Sequence, residues 1–312
     1  MGLQQMPEGA PESLQAVLTA HQIDLGDDAT LAALQTYLQN RFGRALDAII
    51  VYGSYLRGER DTLLDLYVLL NDSASGDESG FEKWGRRILA PNVYYLPASA
   101  TGNRGHAKYA VVATTQLQRC IAGNFHSYFW SRLAQPCAVL YTRSTAVHNQ
   151  LLQTRARAVT RCLEEALRLP GTILPDADTA DADTLTTLWQ PLFEHTYACE
   201  LRAESPERAR ILLGFNESYY RSLAQSWLAT EPSPRRHSSS MRPAMRRWLG
   251  KGLSLARLCK ASLTFSNGIE YLLWKVQRHS GLEFKASARA HKYPLLFAWP
   301  LVWRVWRAGG FR

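Results

Sequence analysis

A glycine and a serine close the apolar run DAIIVYG, and eleven residues after Ser54 a single acid, Asp65, stands inside a second apolar run, LLDLYVLL. Placed between two strands, these residue types have a shared chemistry. A glycine such as Gly53 lets backbone amides approach a polyphosphate closely. The Ser54 hydroxyl and the neighbouring N–H groups can then hold phosphate oxygens, and a carboxylate projecting from the adjoining strand can hold Mg2+. Arg57 and Gly58 in the intervening loop fit the same use. The position two residues after Asp65 lies on the same face of the strand by its two-residue period, and there the chain has Tyr67 rather than a second acid. Asp72, at the end of the same run, and Asp61, in the loop, are the nearest substitutes. No Asp or Glu occurs between Glu82 and Glu164, so later strands of this core offer no carboxylate.

The elements that must position these residues are legible from periodicity. Residues 13–22 and 30–42 have helical apolar spacing, and 47–53 and 63–70 read as buried strands. A helix over 80–89 follows, then strands over 92–97 and 106–114 joined as a hairpin. A helix over 115–134 leads to a strand over 135–141, and 148–167 is helical again. Two stretches rich in turn formers, 170–184 and 231–243, read as linkers, with two helices between them over 185–228. The fold class is therefore α+β: a mixed sheet with flanking helices over 1–145, a helical domain over 146–230, and a basic C-terminal region over 231–312.

The charge is unevenly placed. The formal net charge is +9, yet residues 1–234 carry 20 basic and 25 acidic side chains, whereas 235–312 carry 16 basic and 2 acidic ones. Such a block attracts a polyanion. Five widely spaced cysteines, with no C-x-x-C pair, fit free thiols in a reducing compartment and give no zinc pattern. No apolar run reaches the roughly 18 to 20 residues of a spanning helix, and the N-terminus shows no secretory or transit signal. The expectation is a cytoplasmic protein, peripheral on the inner face of a membrane.

Gly-Ser between two strands, with Asp65 at this distance, resembles the nucleotidyltransferase superfamily. The succession YGS (52–54), LLDLYVLLND (63–72), NVYY (92–95), KYAVV (108–112) and SRLAQP (131–136) is similar, more narrowly, to the mitochondrial-type phosphatidate cytidylyltransferases. The stretch YACELRAESPERAR (197–210) resembles a later segment of that family less specifically. The resemblance implies a nucleotidyltransferase domain followed by a helical, winged-helix-like domain. It also implies Mg2+ as cofactor, CTP and phosphatidic acid as substrates, and CDP-diacylglycerol and pyrophosphate as products. By position, Gly53 and Ser54 would hold the CTP triphosphate, Asp65 would ligate Mg2+ with Asp72 as the second carboxylate, and Lys108 would be the phosphate cation. Tyr109 and Arg132 would line the site, while His106 and His126 read as surface histidines. Where the family has Gly-Ser-Gly this chain has Gly53-Ser54-Tyr55. Other readings are a nucleotidyltransferase with another acceptor, or a degenerate core that binds nucleic acid. Relatives that modify RNA keep the paired carboxylates, so no nucleic acid partner is expected.

The C-terminal segment places Trp299, Trp303 and Trp306 on one helical face beside Arg304 and Arg307, the composition of an interfacial helix. An anionic membrane surface is the expected partner of this region.

Overall fold

The computed structural model describes residues 13–59, 63–72, 80–102, 105–123, 127–170, 172, 182–200, 206–230 and 243–264. They form an α+β protein built from one five-stranded mixed sheet and ten α-helices. Two compact units alternate along the chain. A sheet unit takes its described residues from 25–116, 138–143 and 255–264, and a helical unit takes its own from 13–24, 117–137 and 144–254. This differs from divisions after 145 and 230, because the sheet recovers a strand from the chain after two helices have entered the other unit.

In the sheet unit, β1 (Leu46–Tyr52), β2 (Leu64–Leu70), β3 (Asn92–Leu96), β4 (Ala107–Ala113) and β5 (Cys137–Thr142) lie in the order β3-β4-β2-β1-β5. The β1–β2 and β3–β4 pairs are antiparallel, the latter being the expected hairpin, and β2 runs parallel to β4. Helix α2 (Ala29–Phe42) starts where Asp28 accepts hydrogen bonds from the amides of Thr30 and Leu31, at 2.9 and 3.2 Å. Its buried stripe is Leu31, Leu34, Leu38 and Phe42. Phe42 meets Tyr109 of β4 edge-on with ring centroids 6.5 Å apart, so α2 covers the sheet face that carries Tyr109. Helix α3 (Gly80–Ile88) precedes β3. At the far end of β1 the buried Asp47 accepts from the Thr114 hydroxyl at 2.8 Å and pairs with Arg143 at 2.9 Å, which commits that acid to holding the sheet together.

The helical unit comprises α1 (Leu14–Ala20), α4 (Thr114–Gly123, from residue 117 on), α5 (Trp130–Leu133), α6 (Thr145–Ala166), α7 (Ala182–Ala198), α8 (Pro206–Phe215), α9 (Glu217–Thr230) and the first half of α10 (Pro243–Thr264). The stretch expected as one helix over 115–134 is divided into α4 and α5 by a turn at 127–129. That expected as two helices over 185–228 is three, with Asn216 at the junction of α8 and α9. The core is aromatic: Trp189, Phe193 and Tyr220 pack together, and the Trp189 indole donates to the Tyr220 carbonyl at 3.0 Å. Buried Arg155 donates to the Leu133 carbonyl and the Tyr219 hydroxyl, which itself donates to the Ala134 carbonyl at 3.0 Å. The end of α5 is thereby pinned to α6 and α9. Trp299, Trp303 and Trp306 lie outside the described residues.

Candidate functional site

Strands buried on both faces leave few side chains for a ligand, and here the exceptions coincide. Along β2 every residue is buried except Asp65, along β4 every residue except Lys108, and along β1 every residue except Tyr52. The register places all three in one row, Tyr52 opposite Asp65 and Asp65 beside Lys108, with Tyr95 of β3 completing it. Partners directly across a sheet share a face. Lys108 Nζ stands 3.6 Å from Asp65 Oδ1, with the two side chains 31% and 29% exposed. An ammonium and a carboxylate, both reachable from solvent, therefore sit together where β2 and β4 begin.

The glycine-serine turn closes this row. Gly53 follows β1 with φ 92° and ψ −157°, a conformation open essentially to glycine alone. A Cβ there would lie 3.1 Å from Asp65 Oδ2, so the bare backbone also makes room for the carboxylate. Ser54–Arg57 then form a short 3-10 helix that ends at left-handed Gly58. Tyr55, standing where the resembled family has glycine, is buried, and its hydroxyl donates to the Asp28 carboxylate that caps α2. The departure from Gly-Ser-Gly thus fastens the turn to the helix behind it.

Other expected site residues are placed elsewhere. Tyr67 is buried with its ring stacked on Tyr52, centroids 4.8 Å apart, so an aromatic pair fills the position of a second carboxylate. Asp72 lies in an exposed bend past the opposite end of β2; the remaining strand and the residue after it separate it from Asp65 by about 20 Å, too far to share a cation. Tyr109, one residue after Lys108, faces α2 on the other side of the sheet, where it stacks on Tyr94 and accepts a hydrogen bond from Arg41 at 2.5 Å. Arg132 belongs to the helical unit. Its guanidinium is buried and grips Glu200 through two bonds of 3.0 and 2.7 Å, so it is a structural ion pair there. His106 is half-buried at the start of β4, its ring stacked on that of Tyr95 and its Nδ1 hydrogen-bonded to the Tyr95 hydroxyl; burial pushes its pKa down. Asp61 and His126 lie outside the described residues.

Among the described residues no cluster of three or more His, Cys, Asp or Glu could hold a metal ion. A dedicated protein cage for Mg2+ does not fit this donor set. One carboxylate beside a glycine-serine turn does fit Mg2+ that arrives on polyphosphate oxygens and keeps its waters. Tyr95 and His106, which join the row, carry no motif of their own; only the pairing of Tyr95 with Lys108 reveals them. A shallow cleft between α2 and residues 101–102, lined by small side chains with Tyr37 and Asn40, includes none of the residues of this row.

No protein-family model matches the chain, and no curated protein matches it. Among solved structures, a nucleotidyltransferase-like protein from Exiguobacterium sibiricum is similar at 14% identity over 89% of this chain and 91% of that one, with a TM-score of 0.27.

Proposed function

We propose that this chain is a Mg2+-dependent nucleotidyltransferase that transfers CMP from CTP to phosphatidic acid, giving CDP-diacylglycerol and pyrophosphate. The observation that carries the nucleotidyltransferase reading is the half-exposed row Tyr52, Asp65 and Lys108 beside the positive-φ turn at Gly53. The choice of CTP and phosphatidic acid rests on the order of the five sequence blocks. In this reading an anionic oxygen of the acceptor phosphate attacks the α-phosphorus of CTP. A P–O bond forms to the acceptor, the bond to the β-phosphate breaks, and pyrophosphate carries away the electron pair. The acceptor is already ionised at neutral pH, so no general base is required. Amides of the 53–54 turn and the Ser54 hydroxyl hold the triphosphate. Lys108, whose contact with Asp65 is loose at 3.6 Å, supplies a cation to the phosphates. Asp65 would hold Mg2+ arriving with the nucleotide, and the ion would supply positive charge for the leaving pyrophosphate. Among the described residues no helix is long and apolar enough to cross a membrane. The reading puts the enzyme on the cytoplasmic, inner face of a bilayer as a peripheral protein because its lipid substrate lies there, with the C-terminal region on anionic lipid.

Incubating the protein with radiolabelled CTP, Mg2+ and vesicles containing phosphatidic acid tests this directly. Label in the lipid fraction, dependent on Mg2+ and favouring CTP over ATP and GTP, is the expected result. CTP bound without any transfer would instead support a degenerate core, the reading favoured by Tyr67 in place of the second carboxylate. Transfer to a water-soluble acceptor would keep the reaction and change the substrate.

A further inference from the structure

Helix α3 carries two large apolar side chains on its solvent side. Its inward side presents Gly85, where an added Cβ would meet the Lys260 side chain at 3.7 Å and Asn92 Oδ1 at 3.8 Å. Its C-terminal end is fastened by polar groups. Lys260 Nζ donates to the carbonyls of Leu89 and Pro91 and to Asn92 Oδ1, Arg257 donates to the Ala90 carbonyl at 2.9 Å, and Gln116 donates to the Arg86 carbonyl at 2.8 Å. Trp84 and Ile88, one turn apart, lie on the solvent side, 60% and 64% exposed. Lys83 and Arg87, also one turn apart, flank them, and Arg86 adds a third cation to a helix whose one acid is Glu82. An amphipathic helix ordinarily buries its apolar stripe.

We infer that the Trp84–Ile88 face of α3 is a docking surface for an anionic lipid bilayer. The charge decides the occupant. Two large apolar groups beside cations suit the headgroup boundary, where the rings and aliphatic chains enter and the Lys and Arg heads stay with lipid phosphates. The fastening of α3 through Lys260, Arg257 and Gln116 holds the face rigidly, so docking costs little ordering. The same composition occurs independently on α10, where Met245, Trp248 and Leu249 are exposed beside Arg247 and Lys251. The inference rests on the proposal that the acceptor lies in a bilayer, and it adds a surface of the sheet unit to the C-terminal region.

The test is co-sedimentation of the full chain with phosphatidylcholine vesicles, with and without phosphatidylglycerol, at low and high salt and without nucleotide. Wild type should bind only the phosphatidylglycerol vesicles, less at high salt. Trp84→Ala/Ile88→Ala and, separately, Lys83→Glu/Arg87→Glu should each weaken binding at least fivefold while leaving CTP affinity unchanged. Trp84, Arg87 and Ile88 are exposed and Lys83 is half-exposed, so the charge variant keeps the test valid if the alanine variant folds poorly. Unchanged vesicle binding in both variants overturns the inference. So does a wild-type dimer in sedimentation velocity that the variants abolish, because the face would then be a protein contact. Phosphatidylglycerol is not the acceptor, so vesicle binding without any transfer to phosphatidic acid would sink the proposed reaction and leave the docking surface standing.

Discussion

Replacing Gly53 by alanine separates the two things this glycine does. Its backbone, at φ 92° and ψ −157°, lies in a region that side chains rarely enter, at a cost on the order of 1–3 kcal/mol. The new Cβ would also stand 3.1 Å from Asp65 Oδ2, closer than such contacts tolerate, so the carboxylate must shift by a few tenths of an ångström. At about 2–4 °C per kcal/mol for a domain of this order of size, thermal unfolding should fall by roughly 3–10 °C. CTP binding should fall with it, because both the turn and Asp65 move. Gly58→Ala is the control. It is also left-handed, φ 88° and ψ 2°, but nothing lies within 4 Å of its added Cβ. It should cost about 1 kcal/mol of strain and leave CTP affinity within a factor of two. Thermal melts and titration with CTP on the two variants decide the matter. Gly53→Ala with unchanged melting and affinity would refute the strained, carboxylate-adjacent turn. Equal loss of CTP affinity in both variants would mean that general loosening of the loop, rather than displacement of Asp65, governs binding.

Asp65→Asn, nearly isosteric, should abolish CMP transfer with the melting curve unchanged; turnover within threefold of wild type would remove Asp65 from the chemistry. Lys108→Ala should reduce CTP-dependent activity at least tenfold, since one charge-assisted phosphate contact contributes about 1.5–3 kcal/mol; unaltered kcat and KM would return Lys108 to a purely structural pairing with Asp65. Glu200→Gln should destabilise the chain by about 3 kcal/mol in urea unfolding, because it leaves the buried Arg132 charge uncompensated, whereas nucleotide affinity should hold. Burial lowers the His106 pKa, so the unfolded chain takes up its proton first as pH falls; His106 therefore costs stability below about pH 6.5, its ordinary value, and none above. His106→Gln should flatten the dependence of unfolding free energy on pH between about 5 and 7, and an unchanged slope would contradict this.

The strands around the site were readable in the sequence because continuous β-branched and aliphatic runs leave few alternatives, and a buried row admits a polar residue only where something must reach it. Asp65 and Lys108 stand out for that reason, as does the Gly53–Ser54 turn that follows β1. Helix α2 was equally legible from its apolar spacing, whereas its cap at Asp28 emerged from the structure. What no local pattern decides is which residues meet. Tyr109 adjoins Lys108 in sequence, yet the two-residue period of a strand sends it to α2 on the opposite face. Asp72 follows the strand that holds Asp65, but extended backbone carries it the length of the sheet away. Arg132 finds Glu200 across 68 residues, a pairing that only the packing of the helical unit brings about. Tyr95 and His106 join the row because β3 pairs with β4 in one register. The separation into two units likewise depends on β5 returning to the edge of the sheet beside β1, a long-range pairing set by the shape of the whole and written in no single stretch of chain.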